Sequence, residues 1–174
     1  YLLGNTEQAQ EHYRQALVLA PEYGDAHCNL GVVLEEAGDL ETARFHFQEA
    51  LAQLRQEFID SSAERLDQID LLIDRMYNDK GDRNADFIEF QRDIHSMKGS
   101  AGTYGFDSVT LIAHRLEDFI EAAPDLSNGQ LLDVQVYVDR IREILESGQN
   151  ASKERLDDIL VTLPTIGPAP TVTQ

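Results

Sequence analysis

Ile94-His95-Ser96-Met97-Lys98-Gly99-Ser100-Ala101-Gly102-Thr103-Tyr104-Gly105-Phe106 decides the reading of this chain. The apolar residues Phe87, Phe90, Ile94, Met97 and Ala101 recur at intervals of three and four, which predicts a helix from about Ala85 to Ala101. The core stripe runs through Ile94 and Met97, so His95 lies about 100° round the helix from it, towards water. Its neighbours three, four and seven residues onward are Lys98, Gly99 and Gly102. Each glycine inside a helix costs roughly 0.5–1 kcal/mol relative to alanine. A lone histidine is ordinarily a solvated or satisfied side chain, but that reading leaves two costly glycines beside it unexplained. Bare backbone around the imidazole gives another molecule access to it.

Working outward, the same periodicity predicts four more helices in residues 52–163. Leu51, Leu54, Phe58, Leu66, Ile69, Ile73 and Met76 continue one stripe to the break at Lys80-Gly81-Asp82, with no Gly or Pro between residues 41 and 77. Beyond the quoted stretch, Ser108–Ala123 buries Val109, Ile112, Leu116, Phe119 and Ala123, and Pro124 closes it. Gly129–Glu146 carries Leu131, Val134, Val138, Ile141 and Leu145, and a short Ser152–Leu163 carries Leu156, Ile159 and Leu160. Amphipathic helices joined by short connections bury their stripes against one another, which predicts an all-α, up-down four-helix-type bundle with a fifth short helix. No strand pattern competes. Residues 164–174 hold three prolines and no charge and read as an extended Pro/Thr-rich linker, with a further domain expected beyond it.

Upstream, Gly4, Ala9, Tyr13, Ala16 and Leu17 recur 34 residues later as Gly38, Ala43, Phe47, Ala50 and Leu51. Small residues at fixed places let two helix backbones approach, and an aromatic fills the groove between them. Residues 5–19 read as the second helix of one repeat, and 24–37 with 40–52 as a full hairpin. Residues 1–51 thus resemble about one and a half tetratricopeptide repeats. Such repeats usually bind proteins, so a protein ligand is one expectation for them. A packing or spacer role is the other, because about three repeats make a self-supporting array. The expected domains are therefore 1–51, 52–163 and the linker 164–174.

Composition narrows the function. Thirty-two acidic and 14 basic residues give a net charge of -18, which disfavours nucleic acid and anionic membrane as partners. Cys28 is the only cysteine, so the chain has no intrachain disulfide, and Cys28 is expected to be a small buried residue of the repeat. No apolar run approaches the roughly 18 residues that span a bilayer, and no signal peptide opens the chain, so a cytoplasmic location is expected. Opening on Tyr1 rather than Met, the chain reads as a piece of a longer protein.

His95-x-x-Lys98-Gly99-Ser100-Ala101 resembles the phosphoacceptor motif of the histidine-phosphotransfer family, and the five helices of residues 52–163 resemble its fold. The string through Gly105-Phe106 is most similar to the N-terminal phosphotransfer domain of chemotaxis-type histidine kinases. That subfamily pairs the acceptor with His and Glu on the next helix, and here His114-Arg115-Leu116-Glu117 falls at the matching distance. Ser100 stands where the chemotaxis-type pattern usually has Gly. The resemblance implies that His95 is the phosphoacceptor, with Lys98 neutralising phosphoryl oxygens and Gly99, Ser100 and Gly102 forming a bare docking face. Glu117, if its flank meets His95, fixes the imidazole tautomer, with His114 behind it. The implied partners are a histidine kinase catalytic domain, in cis or in trans, and a response-regulator receiver domain whose Asp takes the phosphate away.

The chain carries no nucleotide loop of the G-x-x-x-x-G-K-[ST] kind and no convincing acidic trio for Mg²⁺. ATP and Mg²⁺ are therefore expected on partner domains, with no cofactor or metal here and no autonomous enzyme. Two other readings compete: a helical protein-interaction scaffold with a silent His95, and a metal-binding bundle using His95, His114 and Glu117. Di-metal bundles use Glu-x-x-His pairs, whereas this chain has only the reversed His114-x-x-Glu117.

Overall fold

A computed structural model of the chain describes residues 2–123 and 125–166; Pro124, the surroundings of Gly4 and the tail from residue 167 lie outside the described residues. The described residues form seven α-helices, one short 3-10 helix and no strand. In chain order the helices are α1 Leu2–Leu19, α2 Gly24–Glu36, α3 Leu40–Tyr77, α4 Arg83–Ala101, α5 Asp107–Ala122, α6 Asn128–Glu146 and α7 Lys153–Thr162. They divide into two compact units on either side of Glu57 and Phe58, so the dividing point falls inside α3.

In the first unit, Leu30, Leu34 and Ala43 form a small core, with Tyr13, Leu17 and Phe47 packed against it. Gly31 is buried beneath the Phe47 ring, and a Cβ placed there would sit 2.7 Å from Phe47 Cε1. That is the close approach expected of a small residue in a repeat. Cys28, expected to be buried, is exposed. The buried positions of α2 are Ala26, His27, Leu30, Gly31 and Leu34, a helical stripe that passes Cys28 by and buries its neighbour His27. Leu51 and Leu54 are also exposed, at 52% and 46%. The apolar stripe read along residues 51–76 therefore does not face one continuous core; the larger core begins at Phe58.

His27 and His46 form a linked pair. His27 Nε2 lies 2.9 Å from the Pro21 carbonyl oxygen, and the two Nδ1 atoms are 2.8 Å apart. A carbonyl only accepts, so neutral His27 carries its hydrogen on Nε2 and offers its Nδ1 lone pair to the His46 N–H. Burial holds the His46 pKa below its usual value; the His27 charge and Arg14 lower it further, and Glu49 partly opposes them. A histidine whose pKa is depressed on folding binds fewer protons than it does unfolded. Its contribution to stability is present above the unfolded value of about 6.5 and is lost as pH falls through the folded value. Protection factors at α1 and α2 of the full chain, that is exchange rates corrected for the intrinsic pH dependence of amide exchange, should therefore fall between pH 7.5 and 5.5, and His46→Leu should flatten that dependence. Equal protection factors at both pH values would show that the pair carries no proton-linked stability.

In the second unit, Leu66, Ile69, Leu72 and Met76 of α3 meet Phe90, Ile94 and Met97 of α4, Ile112 and Leu116 of α5, and Leu131, Val138 and Ile141 of α6, all essentially solvent-free. The stripes read from α4, α5 and α6 all lie in this core, Phe87 and α7's Leu156 and Leu160 at its margin. Asp82 caps α4 by accepting from the Asn84 and Ala85 amides, and Gly81, at φ +102°, turns the chain into that cap. Arg142 of α6 clasps Asp67 and Asp70 of α3 at 2.9 and 2.6 Å.

The turn between α4 and α5 sets the position of the site. The 3-10 helix Gly102–Tyr104 ends at Gly105, whose φ of +79° favours glycine. The Phe106 amide then returns to the Ala101 carbonyl at 2.9 Å, and the Phe106 side chain is fully buried. Phe58 stacks on Tyr104 with ring centroids 4.7 Å apart. So short and well packed a reversal leaves α4 and α5 as adjacent antiparallel helices.

Candidate functional site

Two helix faces meet at His95. Ile94 and Met97 turn inward at 0% and 1% exposure, which leaves the His95 side chain 75% exposed. Opposite, Leu116 and Ile120 of α5 are buried and bring Glu117 to the edge of the core, 19% exposed. His95 Nδ1 lies 2.9 Å from Glu117 Oε1, while Lys98 Nζ donates to the other oxygen, Oε2. One carboxylate thus joins the imidazole and the ammonium. A cleft of about 430 Å³ opens beside this trio, with Ile94 and Ile120 among its lining and Gln91, Arg92 and Glu121 around it.

The electrostatics fix the imidazole. Burial raises the Glu117 pKa, but the hydrogen bonds from Lys98 and His95, with their charges, outweigh it and bring the net value below normal. The carboxylate is therefore ionised at neutral pH and can only accept. The hydrogen of neutral His95 is then on Nδ1, and Nε2 carries an exposed lone pair. Such a nitrogen can act as a nucleophile without first losing a proton.

Against known families, the Hpt domain model matches residues 53–151. Two repeat models match upstream, a TPR repeat over residues 1–38 and a tetratricopeptide repeat over 24–56. No curated protein and no solved structure matches the chain. The chain belongs to the Hpt domain family. Its Hpt domain is preceded by tetratricopeptide repeats, as the residue patterns implied. An Hpt domain is a phosphotransfer carrier of phosphorelays, and Hpt domains interact with histidine kinases and receiver domains in general.

Of the other residues singled out in this Hpt domain, Gly99 faces open space, with no atom within 4 Å of a Cβ placed there. Gly102 differs from the expectation of a glycine inside the helix. It is the C-cap of α4 and the first residue of the 3-10 helix, and a Cβ there would lie 3.4 Å from Thr110 Oγ1 and 3.6 Å from Asp107 Oδ1. The Ser100 hydroxyl is turned back on its own helix, donating to the Ser96 carbonyl at 2.9 Å. His114 stands apart from the trio, 60% exposed, with Nδ1 3.5 Å from Asp118 Oδ1. Residue 114 lies one turn before Glu117 and rotates its side chain off the line that meets α4. Among the described residues, no three His, Cys, Asp or Glu side chains gather as metal ligands. No helix among them is long and apolar enough to cross a membrane.

Arg92 was not legible as a site residue. Its only sequence signal is a cation three positions before His95, on the same side of α4.

Proposed function

We propose that His95 is the phosphoacceptor, taking a phosphoryl group from ATP bound by a histidine kinase catalytic domain and passing it to an Asp of a receiver domain. The observation that carries this reading is the exposed His95 ring held through Nδ1 by Glu117 at 2.9 Å. The Nε2 lone pair forms the N–P bond as the bond from phosphorus to the leaving ADP oxygen breaks. The ring keeps its Nδ1 hydrogen and gains positive charge, which the Glu117 carboxylate stabilises. In the second step the N–P bond breaks, an oxygen of the receiver Asp bonds to phosphorus, and neutral His95 is restored. The in-line, loose transition state needs Mg²⁺, which the nucleotide or receiver partner supplies.

In this reading Glu117 and Lys98 act as a unit, the lysine keeping the carboxylate ionised. His114 is in this reading a surface residue of α5 beside Asp118, outside the trio. The Gly102–Phe106 turn and the pairing of the acceptor with a glutamate on the next helix favour a chemotaxis-type assignment. The domain would then be the substrate segment of a larger cytoplasmic histidine kinase, and its repeats would bind a protein.

Incubating the chain with phosphoramidate or a cognate kinase tests the proposal. It should yield one acid-labile, hydroxylamine-resistant phosphate that maps to His95. No phosphate, with the helices intact, would instead leave a protein-interaction scaffold.

Docking has its own test. Because Gly99 faces open space, Gly99→Leu should raise helix stability, by up to about 1 kcal/mol. Transfer to a receiver domain should nevertheless fall more than about tenfold, while phosphorylation by phosphoramidate should change little. Equal losses with both would show that residue 99 serves the site itself rather than the approach of a partner. Gly102→Leu is the less specific probe, since its Cβ meets Thr110.

A further inference from the structure

We propose that Arg92 provides the cation that meets the transferring phosphoryl group at His95, an inference that rests on the phosphoacceptor reading above. Charge on that group is spread over its equatorial oxygens and must be met by positive charge held close by. Lys98 contributes little net charge in the resting site, because its ammonium is bound to Glu117. Of the residues around the cleft, Arg92 supplies the other cation.

Its placement suits that task. Arg92 precedes His95 by three residues, about 4.5 Å of helix rise, a distance an arginine side chain spans. It lines the same cleft as His95, and its side chain is 71% exposed. Its ion pairs are loose: 3.6 Å to Glu89 and 3.9 Å to Asp93, both longer than a hydrogen bond. The pair with Asp93, whose side chain is 14% exposed, is the longer, and the pair with exposed Glu89 is of the weak kind that is readily exchanged for a stronger anion. The dianionic oxygens of a phosphoryl group are such an anion, and the planar guanidinium fork can bind two of them at once. In a chain of net charge -18, a positive group at the cleft also offsets repulsion of an anionic donor.

Phosphoramidate tests this without any partner protein, so that docking does not enter. Its N–P bond breaks as that of His95 forms, and ammonia leaves. Arg92→Gln should slow labelling of His95 about tenfold to a hundredfold, as expected for a lost charged hydrogen bond, with the melting temperature unchanged. Arg92→Lys should recover part of the rate, because the charge returns without the fork. Glu89→Gln should raise it roughly twofold by freeing the guanidinium. Wild-type labelling at His95 with Arg92→Gln equally fast would overturn the inference and leave the phosphoacceptor reading standing. So would Arg92→Gln and Arg92→Lys losing rate equally with a lowered melting temperature, the mark of a structural role. No labelling of the wild type at His95 would sink the phosphoacceptor reading, and this inference with it.

Discussion

A His95→Gln chain is expected to fold as the wild type does and to take up no phosphate from a kinase or a small donor. The side chain is 75% exposed and contributes nothing to the core, so stability should stay within about 0.5 kcal/mol. Glu117 keeps its partner Lys98 in that variant, so no charge is stranded at the edge of the core. Activity should vanish because glutamine has no nucleophilic lone pair where Nε2 stood. The chain has four other histidines, His12, His27, His46 and His114, which serve as internal controls. Mapping of phosphate by mass spectrometry under neutral conditions decides the matter. Phosphohistidine persisting on any of those four at wild-type levels would remove His95 from the mechanism.

Glu117→Gln should give the second-largest loss, a phosphorylation rate roughly a hundredfold lower, comparable to removing one positioned acid–base partner. A neutral amide neither holds Nδ1–H as strongly nor offsets the charge that develops on the ring. It can also turn its NH₂ towards His95 and favour the opposite tautomer. Lys98 loses its counter-charge at the same time, so a destabilisation of about 1 kcal/mol is expected as well. Nitrogen-15 spectra of the imidazoles separate the two effects, with wild-type His95 in the Nδ1–H form and the variant a mixture. The same tautomer in both would mean that Glu117 does not set it. The pKa of this carboxylate is lowered on folding, so its stabilising contribution is present above about 4.5 and is lost only as pH falls through the lower folded value. The hydrogen bond to His95 should therefore survive mild acidification.

Much of the second unit was legible from spacing. Val109, Ile112, Leu116 and Phe119 of α5, Ala123 just past its end and the five residues named for α6 are all buried, because an amphipathic helix shows its inner face whatever it packs against. The same rule undercounted that face, since Ile120, Tyr137 and Ile144 are buried too. A helix enclosed on two sides buries more than one narrow stripe. Helix starts were misjudged by one or two residues wherever a cap fixed them. Ser127, with its capping box to Gln130, begins α6 at Asn128, one residue before the glycine that served as its marker.

The histidine we propose as the phosphoacceptor was singled out by the sequence: an outward histidine with a lysine and a glycine about one turn on is a local property of a single helix. What surrounds that histidine was decided by tertiary structure. Glu117 and His114 share a flank of α5, yet only Glu117 reaches His95, because the choice depends on how far α5 is rotated against α4. Periodicity assigns a face and leaves that rotation free; the packing of Phe106, Leu116 and Ile120 sets it. The start of α5 is a similar case, since the Ser108 amide donates to Asn150 Oδ1 at 2.9 Å, a cap supplied from 42 residues away. Tertiary packing likewise decided that Gly102 ends its helix, that Cys28 is exposed and that Leu51 and Leu54 leave the stripe. Each depends on which surface a neighbouring element covers, and one helix read alone does not hold that information.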